Sequence, residues 1–331
     1  MKFECIGSNG ELDTYFCYDL LEKIGKEIRT AKEVTTAEVE GVPGDDEEKK
    51  SDSVETGVKA EDFSDFEVKF ESYLEIDYVM KMRNLQKERG GPYNLHKLNH
   101  IVLLDGEYYG GIEQVKAMAK DRYGLDVEEF NTVYYGRLQR EDFAASVKGL
   151  GKLVYMDFED GSRMRDATTP EYGKIVIELF EKTVPLASEN FLKLCTGELG
   201  ATEFAKLHYQ GCPVHRIVEN GWFQCGDIVE GTGRGSYAAL GEEGKVKDES
   251  FVCDFGSSLG GVVGYSTSSS HSNGSQFFVT LGPCEWMNGS YVGVGRVVQG
   301  FDILAKISKA SVSNQKPDPP IICGKAGKFD A

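Results

Sequence analysis

The sequence predicts a mixed α/β protein with two domains: a small α/β sandwich, then a closed β-barrel capped by helices. Two observations lead to this prediction. The chain has 331 residues, more than one hydrophobic core usually fills. Strand and helix patterns alternate up to about residue 125, whereas short strand patterns and Gly-rich turns dominate from residue 151. We therefore expect domains at 1–125 and 151–331, joined by a connector at 126–150.

Composition narrows the possible partners. The chain has 37 Lys and Arg against 54 Asp and Glu, a net charge of −17. Nucleic acid is not expected as a partner, because binding its phosphates needs a basic surface. No apolar stretch approaches the roughly 18 residues of a membrane span. The eight scattered cysteines and the lack of a secretory leader indicate free thiols in the cytoplasm.

The first domain is expected to alternate between strands and helices. A long polar and acidic segment, 34–65, cannot bury enough apolar surface to order itself, so we expect a mobile insertion there. The other elements are a strand, a helix, a strand, a helix, a hairpin and a closing helix, expected at residues 1–8, 14–28, 66–73, 74–89, 100–111 and 112–124.

The hairpin sequence IVLLDGEYYGGIEQV resembles glutaredoxins, in which a Gly-Gly pair follows the last strand. This resemblance implies a thioredoxin-like fold for residues 1–125. The redox C-x-x-C of that family is replaced by Gly-Ser-Asn-Gly at 7–10, and His100 stands in the place of the cis-proline. Thiol exchange depends on a paired low-pKa cysteine, so a redox-inactive adaptor domain is favoured over a reductase. Cys5 and Cys17 could still react singly.

The second domain begins with two strand patterns, 152–161 and 172–180. A helix pattern follows at 184–197, with Pro185 in its first turn. Short strands and turns make up most of the remainder. One early helix among many strands predicts a closed barrel with a helix over one end.

Four segments of this domain, in their order and spacing, resemble cyclophilins over about residues 151–329. The resemblance implies an antiparallel eight-stranded barrel and peptidyl-prolyl cis-trans isomerase activity. The segments are GKIVIELFEKTVPLASENFLKLCTGE, VHRIVENGWFQCGDI, HSNGSQFFVTL and EWMNGSYVGVGRVVQGFDILAKI.

The chemistry implied by this resemblance needs few groups. Rotation of a peptide bond faces a barrier of about 18–20 kcal/mol because the C–N bond has double-bond character. No bond is made or broken, so a catalyst only has to favour the twisted state. Arg216 matches the catalytic arginine of the family, a rigid set of donors for the proline nitrogen or carbonyl. Gln224 matches the glutamine that orients this arginine. No metal or cofactor is expected.

The resemblance also implies a binding surface for the peptide. Phe278 matches the floor of the proline pocket, Met287 a wall and Trp286 the rim that also contacts cyclosporin. Gln276 matches a glutamine of the peptide groove.

Several residues of the site depart from the family pattern. Gly221 replaces a phenylalanine of the proline pocket, and Trp222 replaces a methionine, so its indole either refills that wall or blocks it. Tyr291 replaces a histidine at the pocket edge, and Thr267 replaces an asparagine of the groove. Weakened affinity for peptides and for cyclosporin is expected.

Two functions remain open from the sequence. The first is isomerisation of X-Pro bonds in protein clients, in support of folding or assembly. The second is a weak or inactive proline-peptide binding subunit of a larger assembly. The HRIV-x-NGW segment and the leader domain resemble the isomerase-like six group of cyclophilins, some of whose members are regarded as inactive. That group is associated with motile cilia, so a cytoplasmic and a ciliary axonemal location are both open.

Overall fold

The computed structural model divides the chain into two compact units, Met1–Ser146 and Val147–Ala331. Within the described residues, no helix has the length and apolar character needed to cross a bilayer. The described residues are 1–40, 66–125, 131–162, 172–267 and 269–330.

The first unit is built on a mixed sheet with strand order β2-β1-β3-β4. Strand β1 pairs parallel with β2 and antiparallel with β3, and β3 pairs antiparallel with β4. The elements up to residue 147 are β1 (Lys2–Ser8), α1 (Leu12–Glu40), β2 (Glu67–Tyr73), α2 (Glu75–Arg89), α3 (Pro92–Leu95), β3 (His100–Leu104), β4 (Glu107–Gly110), α4 (Ile112–Tyr123) and α5 (Thr132–Val147).

Alternation along the strands gives this sheet two buried faces. Cys5 of β1 packs with Leu21 of α1 and Val115 of α4. The next residue, Ile6, points the other way and packs with Tyr78 of α2. Because successive strand residues face opposite sides, the sheet lies between two helical layers, which confirms a small α/β sandwich.

One expectation for this half needs correction. Residues 34–40, predicted to begin a mobile insertion, continue α1. These seven residues contain neither glycine nor proline, and their alanine and glutamates favour helix. Residues 41–65 of that insertion lie outside the described residues. In the expected connector, 126–150, the described part is mostly the helix α5.

The second unit contains an antiparallel sheet of eight strands, ordered β14-β5-β6-β11-β9-β10-β8-β7. Its elements are β5 (Leu153–Asp160), β6 (Gly173–Leu179), α6 (Pro185–Thr196), β7 (Arg216–Val218), β8 (Trp222–Cys225), β9 (Val262–Tyr265), β10 (Phe277–Thr280), β11 (Gly293–Gln299), α7 (Phe301–Ser308), β12 (Val312–Ser313), β13 (Lys316–Pro317) and β14 (Ile321–Lys328).

This sheet is strongly curled but is not the closed barrel predicted. Its edge strands β7 and β14 form no ladder with each other in the described part of the chain. One isolated bridge, Pro213 to Ile322, joins the two edges just before β7. Two backbone bonds flank this bridge, from the Val214 N–H to the Ile321 carbonyl at 2.8 Å and from the Cys323 N–H to the Cys212 carbonyl at 2.9 Å. Neither bond needs an N–H from Pro213, which has none, so the edges of the described sheet meet at this one short contact.

The predicted helix α6 packs over the inner face of the curled sheet. Phe191 of α6 is fully buried and lies 5.2 Å, between ring centroids, from Phe277 of β10. Tyr209 completes the contact at 5.1 Å from Phe277. The aromatic core therefore occupies the concave side of the sheet, and residues on the other face of β7, β8 and β10 lie outside this core.

Candidate functional site

Four residues form a row across neighbouring strands on the outer face of the sheet, the site row. Arg216 of β7 pairs with Gln224 of β8, which pairs with Phe278 of β10, which pairs with Gly264 of β9. Directly paired residues project from the same face of a sheet. The neighbouring Phe277 points into the aromatic core instead. Sheet register thus brings together the predicted arginine, glutamine and pocket floor.

Arg216 is held by contacts on three sides. Its Nε donates to Gln315 Oε1 at 2.7 Å, and its Nη1 donates to Gln224 Oε1 at 3.3 Å. Its guanidinium carbon lies 5.4 Å from the centre of the Trp222 ring, a cation–π distance. These bonds use two of the five N–H groups of a guanidinium, so three are available to a ligand.

Gln224 is also held at both ends of its amide. Its Oε1 accepts from Arg216, and its Nε2 donates to Ser266 Oγ at 2.6 Å. Arginine has only donors, so the amide oxygen must face it and the amide nitrogen must find an acceptor. Ser266 supplies that acceptor.

An apolar cluster surrounds the other end of the site row. Phe278 is 2% exposed, and its ring centre lies 5.6 Å from Phe255 and 5.4 Å from Tyr291. Met287 belongs to the same cluster and is buried beside it. A Cβ atom added at Gly264 would lie 2.5 Å from Phe278 Cζ, so this glycine makes room for the aromatic floor.

Trp222 lies at the edge of this cluster. It is half-buried and packs against the cluster without being one of its fully buried members. Its ring centre is 5.5 Å from that of Trp286, a residue that is 61% exposed. The two indoles, with Tyr291 at 6.3 Å from Trp286, form an aromatic rim between the guanidinium side and the apolar side of the site.

Two predicted groove residues are not brought into the site row. Gln276 Nε2 donates to the carbonyls of Gly233 and Gly235 at 3.0 and 2.8 Å, which uses both of its N–H donors. Thr267 Oγ1 donates to the Ser269 carbonyl at 2.7 Å. Both polar groups serve the surrounding loops, which the sequence pattern did not indicate.

The loop that engages Gln276 is organised by a single carboxylate. Asp227 is 2% exposed and accepts five backbone N–H bonds, from residues 229, 230, 232, 233 and 235. Burial raises its pKa and these bonds lower it, with a net lowering. The carboxylate is thus charged at neutral pH and keeps the loop in one shape.

Sequence reasoning missed three contributors to the site. Ser266 precedes the predicted groove residue Thr267, but no motif indicates it as a partner of Gln224. Gln315 lies 99 positions from Arg216, and no local motif connects them. Phe255 stands in a segment without a strand or helix, where nothing marked it as part of the aromatic cluster.

The two cysteines of the first unit, Cys5 and Cys17, are poorly placed to react. Cys5 and Cys17 are both 0% exposed. A hydrogen bond with Cys5, together with burial, raises the pKa of Cys17 well above its usual value. Thiolate is the reactive form, so single-cysteine chemistry here is disfavoured. Among the described residues, no group of three or more potential ligands could hold a metal ion.

His100 is buried, 2% exposed, and its Nε2 accepts the Ile112 backbone N–H at 2.9 Å. Burial lowers its pKa from 6.5 to about 4, against an opposing effect of Asp13. The folded unit therefore binds fewer protons than the unfolded chain between these values, and its stability falls as the pH drops below 6.5. From this residue we expect a loss of about 1 kcal/mol in unfolding free energy at pH 5.5 relative to pH 7.5, measured by urea titration of β3 amide NMR signals.

The variant His100→Gln is the control for this pH effect. A glutamine oxygen can accept the same Ile112 N–H but does not titrate. The contribution of residue 100 to the pH dependence should therefore disappear in the variant. An unchanged pH dependence would assign the effect to other groups.

The fold of the second unit and the arrangement of its site row agree with one known family. Residues 164–327 match the family model described as cyclophilin type peptidyl-prolyl cis-trans isomerase/CLD. The chain belongs to the cyclophilin-type peptidyl-prolyl cis-trans isomerase family. This confirms the resemblance stated for the second domain.

Two similar proteins carry names that differ in the activity they state. The chain is 38% identical over 179 residues to peptidyl-prolyl cis-trans isomerase CYP21-1 of Arabidopsis thaliana, covering 53% of this chain and 75% of that protein. It is 35% identical over 160 residues to the probable inactive peptidyl-prolyl cis-trans isomerase-like 6 of Bos taurus, covering 48% of this chain and 51% of that protein. Family membership is compatible with a named isomerase and with a protein named as probably inactive.

Proposed function

We propose that the second domain isomerises X-Pro bonds in protein clients and thereby assists their folding or assembly. The observation that carries this proposal is the site row, which sets the guanidinium of Arg216 and the aromatic ring of Phe278 on one face. The two parts match what the reaction needs: a fixed donor for the twisted peptide bond and an apolar surface for the proline ring.

The mechanism follows from the bond that must rotate. A proline ring packed on Phe278 and Met287 holds one side of the imide bond, while the preceding residue turns. As the bond twists, its nitrogen regains a lone pair and becomes a hydrogen-bond acceptor. A remaining N–H of Arg216 can donate to it, an interaction that the planar ground state lacks, so the barrier falls. No proton transfer or cofactor enters this scheme.

Exchange NMR on an X-Pro peptide with the full chain tests the proposal. The peptide should show cis-to-trans exchange cross-peaks at catalytic protein concentration, because uncatalysed exchange takes tens of seconds. A peptide with alanine in place of proline is the control for non-specific broadening. Peptide shifts without any exchange would reject isomerisation and leave binding.

Binding without isomerisation would support the alternative function. In that case the chain is a subunit that binds proline segments within a larger assembly, in the cytoplasm or a ciliary axoneme. Gly221 removes a ring from the pocket wall, and the Trp222 indole occupies one face of the guanidinium. Both features favour low turnover at the site, and the name of the bovine relative agrees. The same features lead us to expect weak cyclosporin binding.

We infer that the first domain is a thioredoxin-like adaptor without redox activity. Support comes from its strand order β2-β1-β3-β4, with one parallel pair and one hairpin, and from its buried thiols. At the start of α4, His100 Nε2 accepts the N–H of Ile112, and Gln114 Oε1 accepts the N–H of the preceding Gly111, at 2.9 Å each, so these two groups are satisfied without an anionic ligand.

A further inference from the structure

Arg216 and Gln224 are each anchored by a residue outside the site row. We propose that Gln315 and Ser266 are positioning residues, which hold the Arg216 guanidinium and the Gln224 amide in the geometry needed for isomerisation. This inference rests on the proposed function, and it identifies the residues that orient Arg216, the hydrogen-bond donor of that site. Neither residue touches the expected position of the proline ring.

Gln315 fixes Arg216 relative to its own strand. It lies in the turn between β12 and β13, and its side-chain Oε1 accepts from Arg216 Nε at 2.7 Å. Its backbone carbonyl accepts from the N–H of Ile217, the next residue of β7, at 2.6 Å. Gln315 is thus hydrogen-bonded both to the backbone of β7 and to the Arg216 side chain. Rotation of the guanidinium about the Cδ–Nε bond would turn the Nε–H away from Gln315 and break that contact.

The turn holds Gln315 in an unusual backbone conformation. Its φ is +65°, and that of the preceding Asn314 is +50°. Positive φ is common for glycine and tolerated by asparagine, but it is uncommon for glutamine. Glycine would suit the backbone of this turn better, so a glutamine held there at positive φ agrees with a use for its side chain. Asn314 makes no side-chain hydrogen bond to the described residues, which makes it the matched control.

Ser266 fixes the orientation of the Gln224 amide. Its Oγ accepts from Gln224 Nε2 at 2.6 Å, and its own N–H donates to the Gln276 carbonyl at 2.9 Å. The backbone of Ser266 is therefore fixed to the residue that precedes strand β10. With the nitrogen held by Ser266, the amide oxygen is left facing Arg216, which it meets at 3.3 Å.

The chain of contacts runs from Ser266 through Gln224 and Arg216 to Gln315. A donor that is already oriented needs no reorganisation when charge develops on the twisted imide, so it lowers the barrier more than a mobile donor would. Losing an anchor should therefore lower kcat, while KM, which reports peptide binding on the apolar cluster, should change little.

The first experiment observes Arg216 directly, without any substrate. In the full chain, the Nε–H of Arg216 should give a protected proton–nitrogen NMR signal. Gln315→Gly should abolish that protection, because water then replaces the glutamine oxygen. Asn314→Gly, in the same turn, should leave the signal unchanged. If the Gln315→Gly signal keeps its protection, Gln315 does not position Arg216 and the inference is wrong.

The second experiment measures isomerisation by the same variants. Gln315→Gly and Ser266→Ala should each lower kcat by about fivefold or more with KM changed less than about twofold. The controls Asn314→Gly and the exposed Ser270→Ala should match the parent chain. A change confined to KM would contradict positioning.

The two experiments separate the failure of this inference from the failure of the proposed function. If the parent chain has no isomerase activity but its Arg216 signal depends on Gln315, the proposed function is wrong and the anchoring of Arg216 still holds. Full activity in both anchor variants would reject the positioning role while leaving the isomerase intact. Glycine at 315 also relieves the positive φ, so loss of folding is not expected to obscure either result.

Discussion

Replacing Arg216 by alanine should lower kcat/KM for an X-Pro peptide by roughly tenfold or more, the usual cost of removing a transition-state donor. The guanidinium is the one cationic group of the site row, and it keeps three N–H groups for a ligand. The loss should fall on kcat, because the proline ring still binds to Phe278 and Met287. Exchange NMR on a single peptide gives both parameters.

The variant Arg216→Lys separates charge from geometry. Lysine retains the positive charge but lacks the Nε–H that donates to Gln315 and the planar fork that reaches Gln224. We expect it to be nearly as impaired as the alanine variant. Unchanged turnover in Arg216→Ala, with thermal melting like that of the parent, would remove Arg216 from the mechanism altogether.

Replacing Phe278 by leucine should weaken peptide binding by about tenfold, which corresponds to about 1.4 kcal/mol. Phe278 is 2% exposed and contacts Phe255 and Tyr291 edge-on or tilted, and aromatic contacts of this kind contribute beyond their buried area. A leucine fills part of the volume but offers no flat face to a proline ring. The dissociation constant, from peptide titration, is the measured quantity.

Phe277→Leu is a close control for this prediction. Phe277 is the adjacent residue of β10, is equally buried, and points to the aromatic core with Phe191. Both variants should lower the free energy of unfolding by about 1–2 kcal/mol, but only Phe278→Leu should weaken the peptide. Equal peptide affinities in the two variants would show that the ligand lies elsewhere.

Elements with a strong local pattern were predicted closely. The strands β5 and β6 and the helix α6 lie within the expected ranges, because alternation of apolar residues and a proline in the first helical turn are local features. The end of α1 was misjudged because an acidic composition suggested disorder, although residues 34–40 contain neither glycine nor proline.

Features that join distant parts of the chain were not predictable in the same way. Barrel closure depends on how the sheet edges meet, and in the described part of the chain the edge strands β7 and β14 share no ladder beyond a short contact at Pro213 and Ile322. The anchoring of Arg216 by Gln315 depends on a turn near the end of the chain. The Phe278 ring has space because Gly264 on the neighbouring strand has no side chain, and this contact is not visible in the sequence.

By itself, the sequence determined the family of the second domain, the residue types of the site, and the absence of a C-x-x-C after the first strand, because these are properties of order and spacing. Tertiary structure alone decided which of those residues act together. Register across β7, β8, β10 and β9 aligned Arg216 with Phe278 and left Gln276 and Thr267 serving their own loops. Hydrogen bonds and ring contacts fall off within a few ångströms, so partners that are far apart in the sequence are chosen only when the sheet has formed.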